Sequence, residues 1–226
     1  MLSTAAAILP GVLRAVIFDA GETLFSEERA WAAWAEWLGV RPWTLAAALG
    51  GVIERRGDHR SAFEVIRPGF DLAAEQAARA DAGVPDDPIA LYELYEDAVP
   101  CLERLRAAGL RVGVAANQPA AFAPLLDELL EPGELMGVSA SWGVSKPDPR
   151  FFARIIAELG LAPGEIAYVG DRVDNDVMPA LAAGMVAVHV RRGPWGVVQA
   201  GWPEAIRARV RADDLHEVAE RLLAAA

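Results

Sequence analysis

The chain has 226 residues, of which 54% are hydrophobic and 23% charged, and carries a formal net charge of −11. This is ample for one packed domain, or one domain carrying an insertion, while the negative field disfavours nucleic acid and anionic membranes as partners. Its apolar runs are broken by Pro, Gly or Arg well short of a bilayer span, which argues against a transmembrane helix, and a lone cysteine, Cys101, leaves no internal disulfide and fits a reducing cytoplasm.

The opening MLSTAAAILPGVLR is mildly apolar without a basic start and reads as a loose leader, not an export signal. The first strand expected is Ala15 to Phe18, and four similar apolar runs follow at Arg111 to Ala115, Gly137 to Ala140, Ile166 to Val169 and Val186 to Val190. Between them lie amphipathic stretches, VPCLERLRAAG, PRFFARIIAELG and DVMPALAAG, each ending on a glycine suited to a helix C-terminus. Apolar strands alternating with helices imply an α/β fold, a doubly wound parallel sheet with a Rossmann-like core.

From Ser26 to Ala90 the alternation stops, and helix-like runs separated by GVRPW, RRGDHR, RPGF and GVPDDP take its place. That interval is too long for one crossover helix. It reads as an inserted α-helical cap over residues 26–91, with residues 1–25 and 92–226 forming the core. In the cap, Trp31, Trp34 and Trp37 recur at helical spacing, most simply as core or domain contact. The run ERRGDHR reads as a solvated loop, with His59 as a minority candidate for an acid facing the substrate.

Ligands of such sheets bind beyond the C-terminal ends of the strands. Asp19, Asn117, Lys146 and Asp171 each follow an expected strand, and Asp176 lies five residues after Asp171. An aspartate after a strand is by itself often a turn former or helix cap. The ordered set is more telling. FDAGETLF gives Asp19 and Thr23, VSKPDPRFF gives the chain's sole lysine, Lys146, and VGDRVDNDV gives Asp171 and Asp176.

In these three motifs, taken in order, the sequence resembles the haloacid dehalogenase superfamily of aspartate-nucleophile hydrolases from about Val12 to Leu223. The resemblance implies that Asp19 attacks phosphorus and forms an aspartyl-phosphate. It implies that Mg²⁺ is held by Asp19, the main-chain carbonyl of Gly21, Asp171 and Asp176, with Asp174 as a substitute for Asp176. Lys146 would neutralise nucleophile and phosphoryl group, and Thr23 and Asn117 would help to bind the substrate. The activity implied is that of a phosphatase for a small phosphorylated metabolite, cytoplasmic, monomeric or homodimeric.

Two positions depart from the pattern. Phosphatases of the superfamily carry a proton-donating aspartate where this chain has Gly21, and positioned proton transfer contributes about 10²–10⁴-fold. The expectation is weakened activity, or restriction to leaving groups that depart without a proton, with Gly21→Asp raising turnover. Glu22 beside it is expected to point elsewhere. Ala116 replaces a hydroxyl on the phosphate, a loss of about 1.5–3 kcal/mol, part of which Asn117, Gln118 or backbone amides would recover. Two alternatives remain: a catalytically impaired member with a regulatory role, and a 2-haloacid dehalogenase, which would have no use for Asp171 and Asp176 as metal ligands.

Overall fold

The computed structural model describes residues 13–84 and 91–224, so most of the apolar leader and most of the GVPDDP stretch lie outside the described residues. Six strands, β1 (Ala15–Phe18), β4 (Arg111–Ala116), β5 (Leu135–Val138), β6 (Ile166–Gly170), β7 (Val186–Val190) and β8 (Val210–Ala212), form one sheet in the order β5-β4-β1-β6-β7-β8. All five pairings are parallel. Val16 and Phe18 point into a core shared with Leu102, Leu105 and Leu222. Ala15 and Ile17 face the opposite core, with Phe151, Phe152 and Ile155. Both faces are covered, so the strands read as unbroken apolar runs rather than alternating ones.

Helices fill the intervals between strands as their end signals imply. The helix Pro149–Leu159 is capped by Asp148, whose carboxylate accepts the Arg150 N–H at 2.8 Å. Gly109, Gly160 and Gly184, the expected stops, all lie at positive φ (81°, 62° and 81°), where a side chain would be strained.

Two local expectations need correction. The third apolar run is a strand over Leu135–Val138, two residues earlier than Gly137 to Ala140, and Ser139–Trp142 form a short helix instead. The Trp142 ring folds back over Gly137, where a Cβ would overlap it, so the chain turns there rather than continuing extended. The region around the insertion is also not strand-free. β2 (Phe25–Ser26) and β3 (Glu93–Leu94) pair antiparallel at its two ends, and both are too short to leave a periodic signal. β8 escaped notice for the same reason.

Between β2 and β3, helices Glu28–Trp37, Pro42–Glu54, Ser61–Ile66 and Leu72–Asp81 form a third apolar cluster. Leu45, Leu49, Val52 and Phe63 pack there with Trp195 and Trp202, which belong to the segment after β7. Those two indoles seat the helical insertion on the sheet domain.

The loop after β1 is pinned from the same side. Arg192 donates to the Thr23 carbonyl at 3.0 Å and forms a forked ion pair with Asp97, which also accepts the Leu215 N–H at 2.8 Å. Burial alone would raise the Asp97 carboxyl, but the guanidinium and the N–H hold it below the ordinary carboxylate range. A depressed folded-state pKa gives stability that is present above the unfolded value and is lost as pH falls through the folded one. Asp97→Asn should therefore destabilise the fold at neutral pH by about 2 kcal/mol, below the 3–5 of a fully buried pair because this one reaches solvent at an edge. The deficit should shrink as denaturant melts are repeated at pH values below the ordinary aspartate range, where the Asp97 carboxyl takes up its proton.

Candidate active site

β1, β4 and β6 are adjacent and in register, Phe18 lying opposite Val114 and Val169. The residues that follow each strand, Asp19, Asn117 and Asp171, therefore emerge together at one edge of the sheet. Hydrogen bonding fixes the first of them, since the Asp19 N–H donates to the Val169 carbonyl at 2.8 Å. A cavity of about 260 Å³ opens over this edge, and Asp19, Gly21, Asn117, Lys146 and Asp171 line it.

Lys146 stands at its centre. Its Nζ lies 2.7 Å from Asp19 Oδ1 and 2.6 Å from Asp176 Oδ1, and the residue is only 3% exposed. Burial by itself would lower its pKa, but Asp176 and Asp19 raise it well above the ordinary lysine range, so it is an ammonium. Asn117 positions it: the Asn117 Oδ1 accepts the Lys146 N–H at 2.7 Å, and the Asn117 Nδ2 donates to the Lys146 carbonyl at 2.9 Å. The Asn117 amide is thereby committed to the main chain.

Asp19, Asp171 and Asp176 each present an oxygen within 4.8 Å of the others. Burial and the neighbouring carboxylates push Asp171 well above its usual range, and they push Asp176 up to about 6 despite Lys146. Asp171 Oδ2 is buried without a hydrogen-bond partner. Three carboxylates facing one ammonium leave two formal negative charges and an orphaned oxygen, a donor set that fits a divalent cation bound through hard oxygens. His189, 1% exposed, steadies the main chain here, its Nε2 lying 2.9 Å from the Asp171 carbonyl.

Other residues named from the sequence are placed differently. Asp174 turns away from the cluster, bound by Arg172 at 2.9 Å and Gln199 at 3.1 Å. Thr23 is fully buried outside the cavity lining, its Oγ1 unpartnered. Glu22 adopts a left-handed backbone (φ 50°), and its carboxylate accepts the Glu27 N–H at 2.8 Å and the Tyr95 hydroxyl at 2.7 Å. The ERRGDHR run is not simply a solvated loop, because His59 and Arg60 line the cavity. The His59 ring stands edge-on to Trp31 and Trp195, and burial and Arg172 lower its pKa. Trp31 lines the cavity as well, whereas Trp34 packs on Phe63.

Sequence reasoning named Gln118, which lines the cavity, but missed Glu27, Arg172, Asn175 and Trp195, which complete the walls. Only Arg172 and Asn175, which lie within the Asp171–Asp176 motif, carried a signal. Glu27 is pushed up to about 7, chiefly by burial and by Glu22.

The family model for haloacid dehalogenase-like hydrolases matches residues 13–184. The chain belongs to this family. Among curated relatives of this haloacid dehalogenase-like chain, a glyceraldehyde 3-phosphate phosphatase of Methanopyrus kandleri is 32% identical over 151 residues, 64% of each chain. A phosphoserine phosphatase of Thermus thermophilus is 36% identical over 134 residues, 56% of this chain and 50% of that one. The matches thus span from half to just under two thirds of these relatives. Among solved structures, an HAD phosphatase from Thermococcus onnurineus superposes with a TM-score of 0.58 at 24% identity, covering 93% of this chain and 98% of that one. A 2-haloacid dehalogenase from Pseudomonas syringae gives the same TM-score at 22% identity, over 95% and 100%. Phosphatase and dehalogenase share this fold, so the fold does not choose between them.

The orphaned carboxylate makes a direct test. Asp171→Asn should raise the melting temperature of the metal-free protein, relieving a strain of about 1–2 kcal/mol. It should also reduce or abolish the upward shift that a divalent cation gives the unsubstituted protein, both read by thermal melts with and without the cation.

Proposed function

We propose that this chain is a metal-dependent phosphatase of small phosphorylated metabolites, acting through Asp19. The observation that carries the reading is the retention of Asp171 and Asp176 beside Asp19 and Lys146. A dehalogenase would have no use for Asp171 and Asp176 as metal ligands, because the carbon it attacks carries no anionic oxygens for a cation to neutralise, whereas a phosphoryl group does.

Asp19, the Gly21 carbonyl, Asp171 and Asp176 would hold Mg²⁺, a hard ion suited to a few carboxylate oxygens. When bound, the ion supplies charge neutralisation for the phosphoryl oxygens. Asp19 supplies the nucleophile, its carboxylate forming an aspartyl-phosphate as the ester P–O bond breaks, and water then attacks phosphorus to release phosphate and restore the carboxylate. Lys146 orients Asp19 and keeps positive charge beside the transferring group. Phosphoryl transfer needs this positioning and charge more than covalent assistance. Ala116 offers no hydroxyl, and Gln118 and Asn175 are the polar side chains at hand for the phosphate.

The helical insertion over residues 26–91 would serve as the cap that selects the substrate, contributing Trp31, His59 and Arg60 to the wall opposite the sheet. The phosphatase names of the curated relatives support a phosphate ester as the substrate class.

A panel of phosphate esters assayed with and without Mg²⁺ tests the reading. Phosphate release should require the cation, fall to background with chelator, and drop about 10³-fold or more in Asp19→Asn. Binding of metal and phosphate without turnover of any ester would instead favour an impaired regulatory member, and chelator-resistant halide release from 2-haloacids would favour the dehalogenase.

A further inference from the structure

Cleavage of an alkyl phosphate expels an alkoxide, a poor leaving group that needs a proton as the bond breaks, and the following hydrolysis needs a base for water. The cavity holds few side chains able to do this. Asp19, Asp171 and Asp176 form the acidic cluster, and Lys146 is paired to two of its members. Both oxygens of Glu22 are already taken by the Glu27 N–H and the Tyr95 hydroxyl. Arg60 and Arg172 do not release protons near neutrality. His59 and Glu27 remain.

Space decides between them. A Cβ built on Gly21 would overlap Glu27 Oε1 and approach Glu27 Cδ at 3.0 Å, with Gln118 Nε2 3.5 Å away. The Glu27 carboxyl therefore fills the volume that a side chain two residues beyond Asp19 would take. The chain path puts it there. Gly21 bridges to Phe25, and Glu22 folds back to donate its N–H to the Phe25 carbonyl at 2.7 Å. The Glu22 carboxylate then grips the N–H of Glu27, the residue preceding helix Glu28–Trp37. One turn on, Trp31 Nε1 donates to Glu27 Oε2 at 3.3 Å, leaving Oε1 as the oxygen that faces Gly21. His59 stands instead against the rings of Trp31 and Trp195.

We infer that Glu27 is the proton-transfer residue of this site, its carboxyl reaching from the start of the insertion into the space left open at Gly21. The inference rests on the phosphatase reading above. In the first step Asp19 bonds to phosphorus, the ester P–O bond breaks, and Glu27 gives its proton to the departing oxygen. In the second, Glu27 takes a proton from water as that water's oxygen bonds to phosphorus and the Asp19–phosphorus bond breaks. Inorganic phosphate leaves, and both carboxyl groups return to their starting states. On this inference Gly21 is the clearance that Glu27 requires, and Gly21→Asp alone should not raise turnover, the opposite of the expectation from the sequence.

The test compares glycerol phosphate with p-nitrophenyl phosphate, whose leaving group needs no proton. In Glu27→Gln, kcat/KM for the alkyl ester should fall about 10²–10⁴-fold. For the aryl ester kcat/KM should change far less, while kcat falls and a burst of nitrophenolate precedes the slow hydrolysis. A Gly21→Asp/Glu27→Ala double variant should recover alkyl turnover relative to Glu27→Ala, and Gly21→Asp in the otherwise unchanged chain should not improve it. Equal losses on both esters, an unchanged alkyl kcat/KM in a folded Glu27→Gln, or the selective loss appearing in His59→Ala instead would each overturn the assignment. Failure of the unsubstituted protein to hydrolyse either ester with Mg²⁺ would sink the phosphatase reading itself, and the assignment with it.

Discussion

One buried ammonium holds this site together. Lys146 lies between Asp19 and Asp176, on segments that follow different strands, and without it three carboxylates would crowd a space less than 5 Å across. Like charges at that separation in a poorly solvated site repel strongly. The lysine offsets one of them. The rest of the local architecture follows from fixing its position: Asn117 grips its main chain from both sides, and the Tyr168 ring lies 5.4 Å beneath its Nζ, with the Tyr168 hydroxyl bonded to the Ala115 carbonyl. These supports come from β4 and β6, the two strands that flank the one carrying Asp19, so the sheet register sets the geometry of the charges.

The arrangement leaves the metal-free cluster short of positive charge. An unpartnered Asp171 oxygen buried beside two more carboxylates is unfavourable for folding, and proteins keep such groups where ligand binding compensates for them. Stability and binding capacity oppose one another at this residue. On the far side of the loop, Arg192, Asp97 and the Thr23 carbonyl brace the chain that bears Asp19, so the unfavourable cluster is held by a satisfied network outside it.

Much of this could be read from the sequence because it depends on local pattern. Ala15–Phe18 and Val186–Val190 have the bounds their apolar runs implied, and the helix Pro149–Leu159 carries both its Asp148 cap and its terminal glycine. Asp19, Lys146, Asp171 and Asp176 stood out as an ordered set of motifs, and the fold brings them together because Asp19 and Asp171 follow adjacent strands directly while Lys146 and Asp176 lie on the segments that return after β5 and β6. What escaped notice depends on how the chain doubles back. Two-residue strands at Phe25–Ser26 and Glu93–Leu94 have no period to detect. Glu27 is eight residues from Asp19, and its approach to Gly21 depends on the left-handed turn at Glu22, which no hydrophobic periodicity encodes. Trp195 and Trp202 look like ordinary core residues until the insertion packs on them.

The chain's sole lysine is the one sealed in this site, and its surface cations are all arginines. Within this sequence the one side-chain amine is thus withdrawn from solvent. Acylating reagents that decorate most proteins indiscriminately would find their only side-chain target behind a carboxylate pair. The rate of that modification would serve as a clock for how often the interior of this catalytic centre opens.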